Sequence, residues 1–333
     1  MPSAMIRARV SVILSILCGI IVAGSGSPRR LMTQPVSSVE IISEGKGMTS
    51  DERDDGHKTG RRQPLLGSAL NMVDTKSLIP RRFSNFDSGS SEQSGEARSS
   101  EQVSTSLMQA AEIGDLLLIE RLIEEGSDPD SQNEHGWTAL MVAMSSDHAE
   151  AANFLLRRTS NIGARTDRGW TALHFVASHG NVNMAKELLA RKADANPVAD
   201  FGWTPLMLAA KRRHSQVVRG LLDHGANPNL LDDNKRTALI YAAEGGDSES
   251  GGDLESVREL LSGGANPNLR DSDGWSALMA AAFYGDGEMV RLLLEAGAEV
   301  NVRDHLGRTP LAIAEYAGRY DVVESLAAAG GTT

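Results

Sequence analysis

One short phrase returns along the chain at a fixed interval. It reads Gly202-Trp203-Thr204-Pro205-Leu206-Met207-Leu208-Ala209-Ala210. Partial copies stand at Gly136-Trp137-Thr138-Ala139-Leu140, Gly169-Trp170-Thr171-Ala172-Leu173, Gly274-Trp275-Ser276-Ala277-Leu278 and Gly307-Arg308-Thr309-Pro310-Leu311. Its hydroxyl residue falls at Thr105, Thr138, Thr171, Thr204, Thr237, Ser276 and Thr309, at spacings of 33, 33, 33, 33, 39 and 33 residues. A constant period of this length points away from a single central core. Each unit must bury its apolar face against its neighbours, which is the logic of a solenoid.

The chemistry of the phrase explains its shape. Thr204 can cap a helix with its hydroxyl, and Pro205 fits the first helical turn, where a missing N–H costs nothing. Leu206, Ala209 and Ala210 share one helical face, and the small alanines let helices approach closely. The second half of the unit, Val217-Val218-Arg219-Gly220-Leu221-Leu222, carries the apolar stripe of a second helix. Gly225 supplies the left-handed residue that ends it, and Asn227-Pro228-Asn229 starts the turn to the next unit. The same second half echoes in residues 257–268 and 290–301. These motifs resemble the ankyrin repeat, with its Thr-Pro-Leu-His opening, Ala-Ala pair, Val-x-x-Leu-Leu helix and Gly-Ala-x-x-Asn close. The resemblance implies an all-α repeat fold, an ankyrin solenoid of helix-turn-helix units joined by β-hairpin loops. Seven units are expected, near residues 104–134, 135–167, 168–200, 201–233, 234–272, 273–305 and 306–333. The first lacks the hairpin glycine and reads as a cap. The fifth carries a six-residue insertion within 246–253, read as a solvated loop.

Composition narrows the partners. Residues 104–333 hold 33 acidic and 20 basic side chains, so duplex nucleic acid is not an expected ligand. The lone cysteine, Cys18, allows neither a disulfide framework nor a cysteine metal site. Residues 1–27 read as a secretory signal: Arg7 and Arg9, then an apolar run over 10–22, then the small residues Ala23-Gly24-Ser25-Gly26. The run is too short for a comfortable membrane span, so no stable span is expected after cleavage. An organelle transit peptide is the competing reading, because no acidic residue precedes Glu40. Residues 28–103 form a polar tract with 11 basic and 11 acidic side chains, expected to be a disordered linker. The pairs Arg29-Arg30, Arg61-Arg62 and Arg81-Arg82 punctuate it. Arg29-Arg30-Leu31-Met32 resembles, in degenerate form, the Arg-x-Leu export signals of some pathogen effectors. Chance pairs in a polar tract are the preferred reading.

No catalytic constellation emerges. His174 fills the Thr-x-Leu-His slot, where the resemblance implies bonding to nearby backbone. His174 and His179 lack the spacing of a helical metal pair, and Gly251-Gly252 and Gly263-Gly264 lack the lysine of a phosphate loop. Asp232, Asp271 and Asp304 occupy a hairpin position where aspartate bonds its own turn. No catalytic residue, metal or cofactor is expected.

What varies on the constant scaffold is more telling. In ankyrin repeats the residue between the hairpin glycine and the threonine faces the concave side. Here that row reads Ser104, Trp137, Trp170, Trp203, Arg236, Trp275 and Arg308, and it holds all four tryptophans of the chain. Trp and Arg are the side chains most enriched at binding hot spots. A row of aromatics can instead pack along the hairpins, and both readings stand at this point. The end of the first helix adds Lys211 and Arg212 in unit four, Phe283 and Tyr284 in unit six, and Tyr316 in unit seven. Basic and aromatic groups side by side would suit an acidic, partly apolar peptide or protein surface. The expected function is a non-enzymatic, monomeric scaffold that binds a protein through the concave face, within or beyond the secretory pathway. A secreted pathogen effector binding a host protein, and a regulatory subunit of an enzyme complex, are the alternatives.

Overall fold

The computed structural model describes residues 100–244 and 252–333. The segment read as a secretory signal, nearly all of the polar tract and most of the unit-five insertion lie outside these residues. Among the described residues there are fourteen α-helices and no β-strand. Taken in pairs they are α1 (Ser100–Ile113) and α2 (Leu116–Glu124), α3 (Ala139–Ser145) and α4 (Ala149–Leu156), α5 (Ala172–His179) and α6 (Val182–Ala190), and α7 (Pro205–Lys211) and α8 (Ser215–Asp223). The series continues with α9 (Ala238–Glu244) and α10 (Leu254–Ser262), α11 (Ala277–Tyr284) and α12 (Gly287–Glu295), and α13 (Pro310–Ala317) and α14 (Tyr320–Ala328). Helix α1 covers Ser100–Ile113, so Thr105 lies inside a helix instead of capping one.

The first helices of the pairs pack on one another in sequence, from α1 to α13. Small residues make this possible: Ala209, Ala210, Ala242, Ala243, Ala281 and Ala282 are fully buried. From unit two onward, each first helix starts at the expected hydroxyl. Thr138, Thr204, Thr237, Ser276 and Thr309 accept the N–H three residues on, at 3.2–3.3 Å. Unit three is different, because His174 completes the cap. The Thr171 N–H donates to its Nδ1 at 3.1 Å, which leaves Nε2 as the donor to the Trp203 carbonyl at 3.2 Å. The ring ties unit three to unit four, and burial pushes its pKa down to about 4.

The inter-unit loops turn tightly but do not build a sheet; one isolated bridge, Arg270 to Ser276, forms among the described residues. The loops are chained tip to tip instead. Asp167 donates to His135, Asp200 to Arg168, Asp233 to Phe201, Ser272 to Asn234 and His305 to Asp273, at 2.8–3.0 Å. This close approach fixes the hairpin glycine. Gly202 has φ +78°, and a Cβ there would meet the Asp232 Cα at 2.6 Å. The aspartates close their own turns as expected: the Asp232 Oδ1 accepts from the N–H groups of Asn234 and Arg236. Asp271 and Asp304 repeat the pattern.

A second chain of bonds runs along the far end of each unit. Asn196, Asn229, Asn268 and Asn301 each donate a side-chain N–H to a glycine carbonyl of the next unit, and each accepts a backbone N–H with the amide oxygen. Unit one has Asp130 in this place, and a carboxylate cannot donate. The donors therefore come from the other side: Thr159 and Ser160 bond to it through their hydroxyls, and Ser160 and Asn161 through their N–H groups. Unit two has Gly163, with no side chain at all, and Arg191 fills in by donating to the carbonyls of Leu156 and Thr159. This overturns a natural expectation for Thr159, which aligns with Gly225 and would be strained at positive φ. Helix α4 ends one residue early, Thr159 keeps a negative φ, and its side chain is buried against Asp130. Lys192, at the same position in unit three, does adopt φ +64°.

The unit-five insertion is not wholly solvated. Its last glycine, Gly252, is buried, and a Cβ there would lie 2.6 Å from the carbonyls of Ala242 and Ala243. Residues 245–251 lie outside the described chain.

Candidate functional site

The tryptophan row divides in two. Trp137, Trp170 and Trp203 are only 7%, 1% and 3% exposed. They do not form a ladder of their own. Phe175 stands between Trp137 and Trp170, with ring centroids at 5.2 and 5.6 Å. Trp203 stacks on Tyr241 at 4.8 Å. The Trp170 indole N–H is used internally, on the Asp200 carboxylate at 2.6 Å. Over units two to four these rings fill the seams between units and would have to be dislodged to meet a partner. Trp275 differs. It is half-buried, lies 6.0 Å from Phe283, and carries the Arg308 guanidinium 5.8 Å above its ring. Phe283 in turn meets Tyr284 edge-on at 5.3 Å, and both remain half-buried. Tyr316, in the next unit, is 66% exposed.

The basic side chains are drawn inward as well. Lys211 is buried, with its ammonium 5.6 Å from the centroids of both Trp203 and Tyr241. Arg212 is half-buried. Arg236 replaces the hairpin tryptophan in unit five and is buried too. Its Nη1 donates to Glu244 Oε2 at 2.9 Å, and its Nη2 lies 3.5 Å from Asp271 Oδ2. Its Cζ stands 5.6 Å over the Tyr241 ring, whose hydroxyl donates to Asp232 at 2.5 Å. Arg308 is held by Asp304 at 2.6 Å. Arg236 and Arg308 thus arrive with their charge already answered, which removes most of the support for an acidic partner.

Burial raises the carboxyl pKa of Glu244, against the pull of Arg236, and raises that of Asp271. It raises the Tyr241 hydroxyl strongly, with Asp232 adding to the effect. Tyr284 moves up for the same two kinds of reason, burial and the nearby Glu244. Trp203, Lys211, Tyr241, Arg236 and Glu244 form one cluster. Tyr284 links it electrostatically to a second, of Phe283, Trp275 and Arg308. Tyr241, Glu244, Asp232 and Asp271 were not among the residues that sequence reasoning singled out as partner-binding. Glu244 was within reach of it, since it shares a row with Lys211, Phe283 and Tyr316 at the spacing of the repeat. Among the described residues no group of three or more His, Cys, Asp or Glu side chains is placed to hold a metal, and no helix is long and apolar enough to cross a membrane.

Comparison with known proteins agrees with this architecture. The family model for ankyrin repeats (3 copies) matches residues 107–199, 177–251 and 247–332. The chain is also similar to ankyrin repeat domain-containing protein 40 of Homo sapiens, 40% identical over 52 residues, and equally to its counterpart from Mus musculus. Those matches cover 15% of this chain and 14% of the length of each relative.

Proposed function

We propose a function for this chain from one premise: it belongs to the ankyrin repeat family. Ankyrin repeats generally mediate protein–protein interaction, and the reading supported best here is a non-enzymatic scaffold that grips a protein or peptide. The gripping surface is the face at the ends of α9, α11 and α13. One observation carries this placement. The hairpin position sealed by neighbouring rings as Trp137, Trp170 and Trp203 is half-open as Trp275 in unit six, and half-buried Phe283 and Tyr284 and exposed Tyr316 add open rings at the ends of α11 and α13. Aromatic rings that stay partly wet beside a fixed guanidinium are the usual raw material of a binding hot spot.

The test is to crosslink the bound partner, identify it, and titrate it against variants. Phe283→Ala combined with Tyr316→Ala is expected to weaken binding at least tenfold while the helical circular dichroism is unchanged, as truncation of a hot-spot ring costs about 2 kcal/mol or more. Unchanged affinity in the folded double variant would place the partner on another face.

Residues 1–27 motivate a second part of the reading, entry into the secretory pathway. The support is the Arg7 and Arg9 charge followed by the apolar run of 10–22. N-terminal sequencing of chain made by a secretory host is expected to start between residues 23 and 28; an intact Met1 would reject it.

A further inference from the structure

The charged cluster of units four and five, which borders unit six, has more carboxylates than cations. Asp232, Glu244 and Asp271 stand against Lys211 and Arg236, and Lys211 is spread over two aromatic rings. Arg236 is asked to serve two of the three carboxylates. It reaches Glu244 properly, at 2.9 Å, and falls short of Asp271, at 3.5 Å. The Asp271 side chain is 99% buried, and its Oδ2 has no hydrogen bond. A buried carboxylate oxygen without a donor is costly, and native structures tolerate one only for a reason. Glu244, by contrast, is 22% exposed, so a ligand can reach it. Phe283 stands in the next unit at the repeat position equivalent to Glu244, with Tyr284 beside it and Trp275 behind.

We propose that this junction receives a cationic side chain of the bound partner, an arginine or lysine next to an aromatic residue, with Glu244 as its carboxylate and Phe283 and Tyr284 as its apolar wall. The proposal rests on the scaffold reading above and specifies the chemistry of its ligand. The incoming cation takes over Glu244. Arg236 is then free to close on Asp271 and give Oδ2 the donor it lacks. Binding therefore repairs a defect of the empty site, so the cation is selected by two carboxylates while touching only one. The surrounding charge favours the same sign, since residues 104–333 carry 33 acidic side chains against 20 basic. Burial raises the carboxyls of both Glu244 and Asp271 against the pull of Arg236.

The experiment uses the full chain and fluorescein-labelled peptides with a central Arg-Phe pair between Gly-Ser flanks, read by anisotropy, with Glu-Phe and Arg-Ser peptides as counterparts. The Arg-Phe peptide is expected to bind at least tenfold more tightly than either counterpart, and more weakly as salt rises. Glu244→Gln is expected to erase at least fivefold of the preference for Arg over Glu and to leave the preference for Phe intact. Phe283→Ala is expected to do the reverse. Equal or tighter binding of the Glu-Phe peptide overturns the proposal without any variant having to fold. If Phe283→Ala still weakens both peptides in that case, the face survives and only the cation site falls. If Arg preference persists in Glu244→Gln and Phe283→Ala has no effect, both readings fail together. If no peptide binds until Arg81→Ser and Arg82→Ser are introduced, the chain's own basic segment is the occupant and the partner assignment is wrong.

Discussion

At the scale of single residues, the instructive positions are those where the repeat departs from itself. Thr159 stands where a glycine ends the second helix in other units, and by alignment alone it should be strained. Its real constraint comes from Asp130, some thirty residues earlier. Every regular unit uses an asparagine that both donates and accepts across the interface. An aspartate can only accept, so the missing donor must be supplied by what faces it, and the Thr159 and Ser160 hydroxyls supply it. The pair reads as one compensated substitution. Burial works to raise the Asp130 carboxyl, but the bonds from Ser160 and Thr159 outweigh it and hold the pKa below its ordinary value. Thr159→Val should keep the shape and lose the donor. We expect it to destabilise the domain by about 1–2 kcal/mol, because a partly buried acceptor then goes unserved. Thr159→Gly should destabilise as well, against the intuition that glycine belongs there. Urea unfolding of both variants decides the matter, and a raised midpoint for Thr159→Gly would show that the turn wants positive φ after all.

At the scale of elements, the helix starts, helix pairs and hairpin glycines were legible in the sequence because each depends on residues close along the chain. The orientation of the tryptophans was not legible in the same way, because it depends on the next unit. Trp137 meets Phe175 and Trp203 meets Tyr241, in both cases the residue 38 positions on. A scan at that spacing would have marked these rings as packed, whereas a scan along one row could not. The charged cluster was hidden for a similar reason: Arg236, Glu244 and Asp271 come from two hairpins and the end of a helix. One hairpin also shows what its aspartate is for. The position of Asp232, Asp271 and Asp304 is occupied in the unit-three loop by Ala199, which has no side chain to accept the tip N–H groups. That loop alone twists into a short 3-10 turn over Asp200–Gly202, with Phe201 forced to φ +57°. A bulky residue in the left-handed region costs about 1–2 kcal/mol. Ala199→Asp should restore the turn seen in its neighbours and return Phe201 to negative φ, raising stability by about 1 kcal/mol. Unfolding midpoints together with the Phe201 coupling constants in NMR spectra would check it; a lower midpoint would mean that Asp200 cannot tolerate a second carboxylate beside it.

At the scale of the whole molecule, a solenoid is only as cooperative as its weakest interface, since each unit speaks to its neighbours alone. The third and fourth units are joined through a titratable group, the imidazole of His174, which accepts from Thr171 and donates to Trp203. Its folded pKa lies near 4, below the ordinary 6.5 that it regains on unfolding, because burial penalises the charged ring. The sign follows. Above 6.5 the ring is neutral in both states and the interface holds in full. As the pH falls from 6.5 towards 4 the unfolded chain takes up the proton first, and stability drains away by about 3 kcal/mol over that window. His214 is lowered by burial too and adds to the loss in the same direction. Asp130 acts later: its depressed pKa contributes stability above the ordinary 3.8, and that contribution goes only as the pH falls below it. His174→Gln separates the terms. Glutamine can accept from the Thr171 N–H and donate to the Trp203 carbonyl as a capping-box residue does, with no charge to gain. Its urea midpoint should therefore lie near that of the unaltered chain above 6.5 and decline much less on the way down to 4, leaving the steeper fall below 3.8 in place. An unchanged slope between 6.5 and 4 would mean that the acid sensitivity of the stack is seated elsewhere than at the junction of units three and four.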